Sequence, residues 1–160
     1  MPIYRDEGNG DGSVLFTIGH GALPFDDLLR RLETRGVRTV LDVRSQPYSK
    51  HAPHYNRHEL EAGLIAAGIS YRWMGDHLGG KPLQPGGPAP ISDPQRLAAG
   101  VTEAAGLARG ATSVLLCAEL DPAHCHRRTA LAQPFEDAGF TVVHILGDGS
   151  DLTHQPTLGL

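Results

Sequence analysis

Four times along this chain a helical stretch ends in glycine and an apolar strand follows at once. The joins are Arg35-Gly36-Val37, Ala67-Gly68-Ile69, Arg109-Gly110-Ala111 and Ala138-Gly139-Phe140. Glycine just past a helix end takes the left-handed conformation without a Cβ clash. Helices that alternate with apolar strands bury those strands on both faces, which demands a mostly parallel sheet. The pattern therefore predicts an α/β fold: a single three-layer domain, a sheet of about five strands, and helices on both faces.

The helix starts agree with this reading. Phe25, Leu28, Leu29 and Leu32 share one helical face just after Pro24. Asn56 with Glu59 resembles a capping box, and Leu60, Leu64 and Ala67 supply the stripe behind it. Asp93-Pro94 and Asp121-Pro122 each set a capping carboxylate before a first-turn proline. Leu97, Val101, Ala104 and Ala108 make the next stripe. Pro134 predicts a kink or break in the last helix, because it removes a backbone donor. The strands expected are 14–18, 38–43, 70–74, 113–117 and 141–145. Residues 78–92 are rich in Gly and Pro and lack periodicity, as expected of a long surface loop, and such loops are often lids.

Bulk properties bound the function. A chain of 160 residues suits one domain; the expected division is a flexible lead-in over 1–13 and one α/β domain over 14–155. A net charge of −4 and a pI near 6.1 argue against a general nucleic-acid or membrane surface. No apolar run approaches a membrane span, and the first residues lack a secretory signal's apolar stretch. Two cysteines without an export signal favour reduced thiols and a cytoplasmic setting.

Ligands of open parallel sheets bind outside the carboxyl ends of the strands. There the chain sets Gly19-His20-Gly21, Asp42-Val43-Arg44, Cys117-Ala118-Glu119 and His144-Ile145. The fourth strand leads on to Asp121-Pro122-Ala123-His124-Cys125-His126-Arg127-Arg128. Each residue also has a plain reading: His20 as a turn, Asp42 with Arg44 as an ion pair, Cys117 as packing. Cys125 differs, because a first helical turn beside His124, His126 and two arginines favours both a thiolate and an anion. The phosphate-cradling loop of cysteine phosphatases and sulfurtransferases does not fit, since Pro122 stands five residues after Cys117. Cys117, Cys125, His126 and His20 are candidate zinc or iron ligands, although Cys-x7-Cys-His is not a structural zinc spacing. His54-Tyr55-Asn56 is read either as a solvated face or as a pocket wall, and Gly79-Gly80 as a place where backbone approaches a ligand.

Taken together, Ile18-Gly19-His20, Leu41-Asp42-Val43-Arg44-Ser45, Pro53-His54-Tyr55-Asn56, Leu78-Gly79-Gly80, Leu115-Leu116-Cys117-Ala118-Glu119 and Asp121-Pro122-Ala123-His124-Cys125-His126-Arg127 resemble the family called domain of unknown function 488 (DUF488). Val142-Val143-His144-Ile145 and His154 extend the resemblance. It implies the same α/β fold and the polar set His20, Asp42, Arg44, His54, Asn56, Cys117, Glu119, Cys125, His126, Arg127 and His154. Two departures stand out: Gly21 where a hydroxyl residue often follows the histidine, and a less basic stretch at Tyr48-Ser49-Lys50-His51.

The leading expectation is an enzyme, of unspecified reaction and cofactor, acting on a small or terminal anionic substrate. Cys125, His126, His20 and Glu119 would do the chemistry. Asp42, Arg44, His54, Asn56, Cys117 and Arg127 would hold the anion. The rivals are a metal-binding protein using the same Cys and His groups and a module that binds nucleic-acid phosphate. The oligomeric state is open.

Overall fold

The computed structural model describes residues 13–126 and 130–155. Arg127 and most of the expected lead-in lie outside the described residues. Six strands form one sheet: β1 (Val14–Gly19), β2 (Thr39–Asp42), β3 (Ser70–Trp73), β4 (Ser113–Cys117), β5 (Thr141–Ile145) and β6 (Asp151–Thr153). Their order is β3-β2-β4-β1-β5-β6. The first five pair in parallel, and β6 adds antiparallel to β5. That sixth strand exceeds the five expected. Its three residues, Asp-Leu-Thr, are too short to show alternation in sequence.

Helices cover both faces. Alternation sends Leu15, Leu41, Leu115 and Val142 to one side, where they pack against α4 (Pro94–Gly110) and α5 (Ala132–Asp137). Phe16, Val40, Leu116 and Val143 point to the other, against Leu28 and Leu32 of α1 (Phe25–Glu33) and Leu60 and Leu64 of α2 (Arg57–Ala66). A single helical turn, α3 (Gly75–Leu78), follows β3. The chain leaves β1 toward one face and β4 toward the other, so these two adjacent strands diverge at their carboxyl ends. Such divergence opens a crevice in a parallel sheet.

Several local expectations change. Gly36, Gly68 and Gly139 take φ of +70°, +79° and +103°, but Gly110 ends α4 as a helical residue and Ala111 makes the turn into extended backbone. Asn56 precedes α2 without capping it; its Oδ1 accepts from the Ser49 backbone N–H at 2.7 Å. Asp93 caps α4 as expected, accepting from the N–H groups of Gln95 and Arg96. Asp121 caps only a short 3-10 turn, Pro122–His124, so Cys125 is not in the first turn of an α-helix. It has extended backbone (φ −122°, ψ 144°) just before the helical residue His126. Ala130 and Leu131, directly ahead of α5, are π-helical, so the regular α-helical pattern is interrupted just before Pro134, where the sequence predicts a kink or break.

Among the described residues, no helix is long and apolar enough to cross a membrane.

Candidate functional site

The β1–β4 ladder continues past the strand ends. His20 N–H donates to the Cys117 carbonyl and Gly21 N–H to the Ala118 carbonyl, both at 2.9 Å. This puts His20 beside the β4 loop and begins a cavity of about 460 Å³. Its walls include His20, Arg44, Ser45, Lys81, Cys117, Glu119, His124, Cys125 and His126. Gly21 has φ +46°, and a Cβ there would run into the Leu120 side chain. A hydroxyl residue therefore does not fit at this position.

Asp42 is fully buried under the cavity floor. It holds Arg44 through two parallel bonds, Nε to Oδ1 at 2.8 Å and Nη2 to Oδ2 at 2.7 Å. The Arg44 backbone N–H and the Tyr71 hydroxyl also donate to the carboxylate. Burial works against the Arg44 charge, but Asp42, with Tyr71 behind it, outweighs burial and raises the guanidinium pKa. Burial, helped by the Asp42 charge, also pushes the Tyr71 phenol up. Arg44 Nη1 then donates to His20 Nε2 at 3.2 Å, while His20 Nδ1 donates to the Gly21 carbonyl at 2.8 Å. Those two bonds fix the neutral tautomer with its proton on Nδ1. Burial is the largest effect on this ring, and with the Arg44 charge it draws the pKa from 6.5 to about 4. His20 is therefore neutral near pH 7, its lone pair engaged by Arg44. Held this way the ring orients Arg44; the sequence marks it as a candidate proton carrier. Its ring stacks on Tyr55 at 4.4 Å.

On the opposite wall, His126 Nε2 donates to the Val43 carbonyl at 3.2 Å. Its Nδ1 lone pair consequently faces Cys125 Sγ, 3.6 Å away. The Cys125 and Cys117 sulfurs stand 2.6 Å apart, both buried. The Cys117 thiol also lies 3.5 Å from the Glu119 carbonyl oxygen. The Cys125 thiol, the His126 ring and the Val43 carbonyl thus follow one another along this wall.

The glycine-rich segment after α3 completes the wall, with Gly80 lining the cavity. A Cβ on Gly79 would collide with Ser45 Oγ, and one on Gly80 would lie 2.7 Å from His126 Cγ. Lys81 N–H donates to Ser45 Oγ at 3.0 Å, and Gln46 Nε2 to the Leu83 carbonyl at 3.0 Å. The loop is pinned to the end of β2 and supplies a fixed wall.

The structure brings together His20, Arg44, Cys117, Glu119, Cys125 and His126, with Asp42 beneath them. His54 and Asn56 do not line the cavity. His54 bonds to the Leu23 carbonyl at 2.9 Å, and Asn56 braces Ser49 from behind. His144 and His154 lie elsewhere, paired with each other inside the sheet and, for His144, with Thr17. Glu119 and His124 are exposed at the rim, His124 against Asp121. Ser45 stands in the sequence only as part of the Leu41-Asp42-Val43-Arg44-Ser45 motif, and Tyr71 is not singled out; the Tyr-Arg alternation of β3 is the available sign that Tyr71 faces inward. Among the described residues, no group of three His, Cys, Asp or Glu side chains is arranged to hold a metal, so the rival metal-binding set does not assemble there.

Residues 24–85 match the family model described as domain of unknown function DUF488. The matched segment carries Asp42, Arg44, His54, Asn56 and the Gly79-Gly80 wall, while the cysteine-bearing half lies beyond it. No curated protein and no solved structure matches the chain.

Proposed function

We propose that the cavity is the active site of an enzyme in which Cys125 attacks a small or terminal anionic substrate with His126 as its base. The observation that carries this reading is the alignment of Val43 carbonyl, His126 and Cys125 along one wall. With its Nε2 proton committed to Val43, the imidazole presents only Nδ1 to the thiol, as a nucleophile's base must. Arg44 spends three of its five N–H bonds on Asp42 and His20 and keeps two for a ligand. Asp42 neutralises that site, so the surplus positive charge for an anion comes from Lys81 at the rim and from Arg127, next to His126 in sequence. A cytoplasmic setting, which keeps thiols reduced, suits the chemistry.

The test is alkylation of the reduced protein by iodoacetamide at pH 7, read by mass spectrometry at each cysteine. Cys125 is expected to react first. His126→Ala should slow it by about tenfold or more, because the thiol loses the base that takes its proton. Sulfate or phosphate should protect Cys125, and Arg127→Ala should weaken that protection. Alkylation indifferent to His126 and to both anions would reject the proposal.

A further inference from the structure

Cys117 and Cys125 come from different elements, the end of β4 and the residue after the Pro122–His124 turn. Their sulfurs nevertheless meet at 2.6 Å, well inside van der Waals contact. A covalent bond of about 2.05 Å needs an approach of only ~0.5 Å. Both sulfurs are buried, yet both residues line the cavity, so a small reagent that enters reaches them together. A second thiol in contact lets a mixed disulfide formed on the first be resolved within the chain.

We infer that Cys117 and Cys125 are a dithiol–disulfide couple that exchanges with low-molecular-weight disulfides entering the cavity. The first attack rests on the Cys125–His126 pair of the proposed function. Cys125 gives its proton to His126 and attacks one sulfur of the incoming disulfide. One small thiolate leaves, and a mixed disulfide remains on Cys125. Cys117 then attacks the Cys125 sulfur and expels the second small thiolate. The two protons released from the cysteines go to the two leaving thiolates. The protein loses two electrons and the small disulfide gains them, so no further reagent is needed.

The experiment treats the full reduced chain with glutathione disulfide, then quenches with acid and maps the peptides. The expected product has lost two hydrogens, links Cys117 to Cys125, shows neither thiol to a colorimetric titration, and regains both on adding dithiothreitol. Ring closure should be faster in the folded chain than in urea, because the fold holds the sulfurs in contact. Cys117→Ser should stop at a stable glutathione adduct on Cys125. A wild-type chain that accumulates that adduct, keeps both thiols, or closes no faster folded than unfolded would overturn the inference. Alkylation of the reduced wild type against His126→Ala scores the Cys125–His126 pair separately, so failure of that reading and failure of this one are told apart.

Discussion

At the scale of single residues, His20 connects the buried ion pair to the cavity. Folding takes a ring that titrates near 6.5 and keeps it neutral down to about 4. Between those values the unfolded chain binds more protons than the native one, so stability rises with pH there. The contribution is complete above about pH 6.5 and is lost as the pH falls toward 4; its size is on the order of 3 kcal/mol. Urea melts across that range should show the slope, and His20→Gln should flatten it. The His20 ring resonances should titrate near pH 4; titration near 6.5 would mean the ring is not held as described.

At the scale of elements, the segment after α3 matters through what it lacks. It approaches Ser45 and the Gly75 carbonyl so closely that Gly79 has no room for a methyl group. Gly79→Ala is expected to cost roughly 1–3 kcal/mol, as overpacking does. Gly106 in α4 is the control, with open space where its Cβ would go. Gly106→Ala should be neutral or stabilise by up to ~1 kcal/mol, because alanine is the better helix former. Denaturant midpoints of the two variants measure the contrast, and equal shifts in the same direction would contradict the packing described for this wall.

Across the whole molecule, one sheet separates two apolar layers. Leu115 and Leu116 are neighbours in β4, both buried, and serve opposite layers. Leu115→Ala and Leu116→Ala should each cost about 2–5 kcal/mol. Because each layer needs the same central strand, both variants should still unfold in one cooperative transition. Calorimetry would show this as a single peak with matching calorimetric and van't Hoff enthalpies; two resolved peaks would mean the layers melt independently.

The sequence alone determined the α/β alternation and the five parallel strands, because helix-ending glycines and apolar runs are local signals of backbone geometry and burial. It also picked out His20, Asp42, Arg44, Cys117, Cys125 and His126, since a parallel sheet sends the ends of its strands to one edge. It could not give β6, which exists through pairing with β5 and the ion pair of Asp151 with Arg35. Nor could it separate Asn56 and His54 from the cavity, because a residue's neighbours in space are not written in its neighbours in sequence. Tertiary structure decided the rest: that Asp42 neutralises Arg44, that burial, helped by Arg44, keeps His20 uncharged, and that two cysteines eight positions apart touch. Each of these depends on distances of a few ångströms between elements, which only the packing of the layers sets.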